Sequence, residues 1–380
     1  MIKIFQIFFL ALLVYSCSKT KANYPYKARI LVSTGTGYQM ETVTFNTLTN
    51  LERMDGSLGK IIGNATLDIN QEQEVLVGAN PDEIYLNIGQ DVSLDYTVED
   101  DVIHPLSFDS MAMLSMYYNF EKVLEYWRDN LNLDLADFGK RRLFYDPDIA
   151  ASSTFGSISG TIKLNAAFLP GVRDFWFFKT SPLEKVPFKM NLAILAHEFS
   201  HGVFDYIFAG PDASFYDSES QMASFQLSGI NEGVADYNAW MVTGREDEFV
   251  ESLEQFAKER VLPVSWNSKD LIDGGEQICT GSYYCKGSVL ASALYEVANQ
   301  DSFDPIKVGT TVYTAIRNFR TDWQDHKNED SFDYHYFLIQ VINAAANTSD
   351  KLAYCEAFKV RFNDETNLTK VNEVCDTILP

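Results

Sequence analysis

The sequence predicts an α+β architecture with a β-rich N-terminal lobe and a mainly helical C-terminal lobe. Three observations lead to it. Residues 24–104 carry short alternating or β-branched runs separated by turn residues. The spacing switches to that of a helix between Met113 and Leu131. From residue 188 onward, apolar side chains recur at steps of three and four. The chain is long enough, at 380 residues with 46% apolar and 22% charged, to bury a sizeable core. Its 53 acidic and 30 basic side chains leave a net charge of −23. That field repels nucleic acid, so a nucleic-acid partner is excluded.

The first residues read as a targeting segment. Lys3 precedes an apolar run, Ile4 to Val14, broken only by Gln6. The run is too short to span a membrane as a helix and suits the core of a signal peptide over residues 1–16. Val14-Tyr15-Ser16-Cys17 resembles a bacterial lipobox, with an aliphatic residue at −3 and a small one at −1. This predicts a lipidated Cys17 and a soluble domain held at a membrane of the bacterial cell envelope, at the outer membrane or facing the periplasm. The alternative is an ordinary signal peptide cut before Cys17. Four cysteines remain, an even number that in an exported chain suggests disulfides. Proximity favours Cys279–Cys285 and Cys355–Cys375.

In the N-terminal region, strands are predicted at 28–33, 42–45, 60–69, 74–77, 83–88 and 92–98. Gly35, Gly37, Asp55-Gly56, Asn80-Pro81 and Gly89 supply the breaks. After Pro105, Met113, Tyr117, Phe120, Leu124, Trp127 and Leu131 line one face of a helix. Short strand-like segments follow over 141–187. Helices are predicted at 188–208, 229–243, 247–260, 286–299, 305–319 and 332–346, and the chain reads as mainly helical to its end. The organisation is then 24–104 as β-rich region, 105–243 as the lobe bearing the chemistry, and 244–380 as helical lobe.

The strongest chemical signal is His197-Glu198-Phe199-Ser200-His201. Histidine is scarce, five in the chain, yet two fall here. The preceding Met190 to Ala196 is strongly helical, and Gly210-Pro211 stops the helix. Residues four apart share a helix face, so both imidazoles can reach one zinc ion. Glu198 lies about 100° round the helix, beside the ion, where it can take a proton from water. Zinc in a catalytic site needs a third protein ligand. Asn231-Glu232-Gly233-Val234-Ala235-Asp236 offers a second helix with two carboxylates at i and i+4. Glu232 could complete a His-His-Glu set. Asp236 could accept the free ring N–H of His197. No acidic run has the spacing of a calcium loop, so zinc is the expected ion.

With these residues in view, the chain resembles the thermolysin/fungalysin group of zinc metallopeptidases, the gluzincins. His201-Gly202-Val203-Phe204-Asp205-Tyr206 is similar to the continuation of that group's first zinc helix. Ser228 to Tyr237 is similar to its second. Weaker likenesses are Phe108–Trp127 to a long early helix, Asn165-Ala166-Ala167-Phe168 to the edge strand, and Gly287–Glu296 to the helix after the catalytic loop. The resemblance implies zinc bound by His197, His201 and Glu232 in a cleft between the lobes. It implies Glu198 as general base and acid, and peptide backbone held by Asn165 and Ala166 through strand addition.

Two departures stand out. Thirty residues separate His201 from Glu232, more than in thermolysin itself. The extra segment 209–227 reads as a surface loop or a lid. The family's oxyanion histidine before Gly287 is absent, and Tyr283-Tyr284 stands there. Either hydroxyl could donate to a developing oxyanion, as could Tyr216 in the insertion. Arg260 could match the family's substrate-carbonyl arginine or be a surface or structural arginine. His104, His326 and His335 read as non-catalytic. The implied function is peptide-bond hydrolysis, with a peptide or protein substrate. An inactive peptidase-fold scaffold, motivated by the missing histidine, is the alternative, and a zinc hydrolase of non-peptide substrates is a third reading.

Overall fold

The computed structural model describes residues 22–34, 37–68, 85–132, 138–150, 166–170, 172–210, 213–254, 256–274, 278–279 and 282–378. The leader with Cys17, the strand expected at 74–77, and Asn165 lie outside them. The strands are β1 (Lys27–Thr34), β2 (Gly37–Thr44), β3 (Leu48–Asn50), β4 (Asp55–Gly56), β5 (Gly59–Gly63), β6 (Thr66–Asp68) and β7 (Tyr85–Asn87). They continue with β8 (Gln90–Asp91), β9 (Tyr96–Glu99), β10 (Val102–Pro105), β11 (Arg141–Tyr145), β12 (Asp148–Ala150), β13 (Ala166–Leu169) and β14 (Asp174–Phe177). The fold is mixed α+β, with sheets in the N-terminal part and helices in the C-terminal part.

Alternation builds the first sheet, ordered β2-β1-β10-β9. Ala28, Ile30 and Val32 of β1 point inward, and the residues between them stay more exposed. The second sheet runs β13-β14-β11-β5-β4-β3, with β8 beside β5. Its centre is parallel, β5 to β11 to β14, and the Asp174-Phe175-Trp176-Phe177 run of β14 is buried throughout. Continuous burial is what a strand covered on both faces requires. β13 pairs antiparallel with β14 and closes this path at its edge. The expected boundary near 104 falls between β10 and the first helix. Strand β5 nevertheless joins β11 across it, so the two segments share one sheet. The strand expected over 60–69 divides into β5 and β6 because Asn64 takes a left-handed φ of 55° between them.

The helices are α1 (Phe108–Leu131), α2 (Leu192–Phe208), α3 (Gln221–Thr243), α4 (Phe256–Glu259), α5 (Ser268–Gly274), α6 (Ser282–Ala298), α7 (Pro305–His326), α8 (His335–Ala344), α9 (Thr348–Arg361) and α10 (Glu365–Ile378). α1 starts at Ser107, whose side chain accepts the Ser110 amide, and ends on left-handed Asn132. Its apolar face meets α2 around Phe199. The Phe199 ring lies 5.3 Å from Phe120, 5.2 Å from Phe138 and 6.1 Å from Phe175. Burying such a ring contributes about 1.5–3 kcal/mol. Phe199 points opposite to the face of His197 and His201, so its burial fixes the rotation of α2 and turns both imidazoles toward α3.

Some helices differ from the sequence reading. α3 begins eight residues before the predicted 229, because Ser220 caps it by accepting the Ala223 amide. The segment expected as loop or lid therefore contributes the first turns of α3. Its start is anchored: Ser220 bonds Asp330, and the Glu219 amide bonds Asn328. The helix expected at 247–260 is a short 3₁₀ turn at 248–251 followed by the four residues of α4. α5, α9 and α10 lie beyond the helices singled out in the sequence. Cys279–Cys285 and Cys355–Cys375 pair as proximity favours, with Cα atoms 6.0 and 5.9 Å apart. Among the described residues no helix is long and apolar enough to cross a membrane.

Candidate metal centre

α2 presents the site. Asn191 caps it by accepting the amides of Ala193 and Ile194, and Gly210 receives the chain in a left-handed turn at its end. His197 and His201 sit one turn apart, with their Nε2 atoms 3.0 Å from each other. Glu232 of α3 faces them. Its Oε2 is 3.3 Å from His197 Nε2 and its Oε1 is 3.7 Å from His201 Nε2. These three residues form the metal-competent group found among the described residues. Edges of a tetrahedron with ~2.0–2.1 Å metal–ligand bonds measure about 3.3 Å.

The outer faces of the imidazoles decide what the inner faces can do. His197 Nδ1 lies 3.0 Å from Asp236 Oδ1, and His201 Nδ1 lies 3.0 Å from Asn231 Oδ1. Both partners are oxygen atoms, so with a cation in place of the second ring proton each Nδ1 can keep its hydrogen and each Nε2 can turn a lone pair inward. Two ring nitrogens and a carboxylate converge on one point. Only a proton or a cation relieves that arrangement, and the donor set of two imidazoles and one carboxylate is compatible with zinc. Asn231 had no role in the sequence reading. Its signal was its place beside Glu232, on the part of α3 that faces α2.

Charge in the cluster is tightly balanced. Burial lowers the His197 pKa, but hydrogen bonds and charge from Asp236 and Glu232 overcome it and raise it to about 10. Burial would raise Glu232, yet the charges of His201, His197 and Arg260 hold it at about 2. Arg260 is therefore no surface group. Its Nη1 donates to Asp236 Oδ1, and its Nη2 lies 3.4 Å from Glu232 Oε2. Its side chain is 12% exposed. The guanidinium also stacks on Tyr284, 4.8 Å from the ring centre.

Glu198 leaves the same turn of α2 in another direction. It is 6% exposed, and its Oε2 accepts the backbone amide of Phe168 at 2.8 Å. Phe168 belongs to β13, so the edge of the sheet reaches the carboxylate directly. A backbone donor has no side-chain signature, and the sequence could not reveal it. Ala166 opens the same strand.

Tyr283 and Tyr284 stand in the first turn of α6 with ring centres 4.3 Å apart. Burial first, and then the charge of Glu232, pushes the Tyr284 hydroxyl well up; Tyr283 is also raised by burial. α6 meets α3 closely. A Cβ on Gly233 would sit 2.6 Å from the Gly287 carbonyl oxygen, and one on Gly287 would sit 3.0 Å from the Glu232 Cβ. Only glycine at both positions lets the tyrosine-bearing helix approach the Glu232 helix this closely. Tyr216 is placed elsewhere. Its hydroxyl bonds Asp205, a turn beyond His201, and Asp205 pairs with Arg173 at 2.9 Å. Among the described residues Tyr216 makes no contact with the three-residue group. His326 pairs with Glu329, and His335 opens α8.

A scan against protein-family models finds no match, and a search of curated proteins finds none either. A search of solved structures finds similarity to the precursor of protealysin, a metalloproteinase from Serratia proteamaculans. The identity is 14% and the TM-score 0.41, over 88% of this chain and 91% of that chain.

Proposed function

We propose that this chain is a zinc-dependent peptidase held at a bacterial cell envelope by lipidation of Cys17. One observation carries the reading: His197, His201 and Glu232 converge, while Asp236 and Asn231 occupy the outer ring nitrogens of both histidines. The resemblance of both helices to the gluzincin motifs supports the peptide substrate, and the two disulfides suit an oxidising compartment.

His197, His201 and Glu232 would hold the zinc ion. When bound, zinc supplies Lewis acidity, which acidifies water and polarises a carbonyl. Glu198, oriented by the Phe168 amide, takes the proton from the attacking water and passes it to the leaving amide nitrogen. Ala166 at the start of β13 would offer backbone groups for strand addition, a role the resemblance extends to Asn165. Asp236 and Asn231 keep both imidazoles in the ligating tautomer. Arg260 pairs with Asp236 and helps to hold Glu232 ionised. Tyr284, stacked on Arg260, is the better placed of the two tyrosines to donate to the developing oxyanion. Y284F is expected to lower kcat roughly 10²-fold with little change in stability. Steady-state kinetics beside a melting curve checks this, and wild-type kcat would remove Tyr284 from the chemistry.

The test of the whole reading is hydrolysis of casein or a quenched peptide by the purified chain, abolished by a chelator and restored by zinc. Zinc binding without hydrolysis under any condition would favour the second reading, a metal-bearing envelope scaffold. That reading draws on the tyrosines standing where the resembled family has a histidine.

A further inference from the structure

We propose that Arg361, at the end of α9, is a remote positioning residue for Arg260, and through it for the Asp236–His197 pair. The inference rests on the reading of the site given above. Arg260 lies just past α4, at the start of a stretch, 260–266, that has no helix or strand of its own. That stretch is nevertheless buried: Leu262 and Val264 are 3% exposed and Trp266 is 6% exposed. Its backbone polar groups must find partners inside the protein. Arg361 supplies two of them, donating from Nη1 to the carbonyls of Val264 at 2.7 Å and Trp266 at 3.0 Å. Its Nε donates to Glu296 Oε1 of α6 at 3.1 Å, and its Nη2 bonds the same oxygen. α6 holds the near end: Ser292 Oγ accepts the Val264 amide at 2.9 Å, and Ser288 Oγ donates to the Glu259 carbonyl at 2.8 Å.

The guanidinium thus clamps the Arg260 segment against α6. The planar fork fixes the directions of its donors toward two carbonyls and a carboxylate together, which a rotating ammonium does not. Arg361 is 9% exposed. Cys355–Cys375 ties its helix to α10, so the clamp has a firm base. A continuous chain of contacts then runs from Arg361 through the 264–266 backbone to Arg260, Asp236 and His197. Displacing a site by about 1 Å from a distance can cost up to 10²-fold in rate.

A double-mutant cycle on the full chain tests this. R361M is expected to lower kcat/KM for a quenched peptide about tenfold. In an R260A background it should cost no more than about twofold, because the group it positions is gone. A purely structural arginine would lower the melting temperature and give losses that multiply. Losses that multiply, or R361M within twofold of wild type, overturn the proposal. A crystal structure of R361M answers without turnover. Arg260 drawn off Asp236 supports the proposal, and Arg260 in place overturns it. Wild type inactive under every condition would instead strike the peptidase reading, and the crystal structure would still decide the clamp. If R361M does not fold, E296Q breaks the clamp more gently at a partly exposed partner, and the same cycle and crystal comparison apply.

Discussion

E198Q is expected to keep its metal and lose its turnover, with kcat falling by about 10²–10⁴-fold. Glutamine is the right replacement because of what Glu198 touches. Its Oε2 accepts the Phe168 amide at 2.8 Å, in a position where the side chain is 6% exposed. The carbonyl oxygen of glutamine can keep that bond, so the edge of β13 stays where it is. Alanine would strand a buried N–H at a cost of about 1–3 kcal/mol and confuse lost chemistry with lost structure. What glutamine cannot do is receive and return a proton at neutral pH. Metal content by mass spectrometry, a melting curve and steady-state kinetics on one preparation separate these effects. An E198Q variant that cleaves peptides at the wild-type rate would remove Glu198 from the role of base.

Local spacing made the centre of this site legible, and tertiary approach hid its support. His197 and His201 are i and i+4 on a segment whose apolar residues already demand a helix, so their common face follows from 3.6 residues per turn. Glu232 and Asp236 repeat that logic on α3. Asn231 breaks it: its role depends on how α3 lies against α2, which no spacing encodes. The Phe168 amide is backbone, and any residue could supply it. The sequence leaves Arg260 open between a substrate contact and a surface or structural role, because its partners, Asp236 and Glu232, are 24 and 28 positions away. The start of α3 was misplaced because Ser, Asp and Phe in 209–227 read as loop, while Ser220 in fact caps a helix there. Strand β5 was legible as a strand, yet its place beside β11, which fuses the expected regions into one sheet, needs long-range parallel pairing that composition does not specify.

E232A is expected to abolish stoichiometric zinc binding while leaving the fold in place. The two carboxylates of α3 differ in what depends on them. Asp236 is 1% exposed and serves both His197 Nδ1 and Arg260. Removing it would leave a buried guanidinium and a ring N–H without their partner, a loss of the kind that costs about 3–5 kcal/mol. Glu232 stands at the inner face, and Arg260 only grazes it at 3.4 Å. In E232A the Arg260–Asp236 pair survives, His197 and His201 keep their outer partners, and the glycine contact between α3 and α6 is unchanged. What disappears is the carboxylate of the His197, His201 and Glu232 group. The loss of affinity should exceed the roughly 10–100-fold that follows removal of an outer hydrogen-bond partner. Competition with a chromophoric chelator measures it, and N231A serves as the milder reference because Asn231 meets the group at the outer nitrogen, His201 Nδ1. If E232A holds zinc as tightly as wild type, the carboxylate is not a ligand. The convergence of His197, His201 and Glu232 would then have to be explained by a proton shared among them.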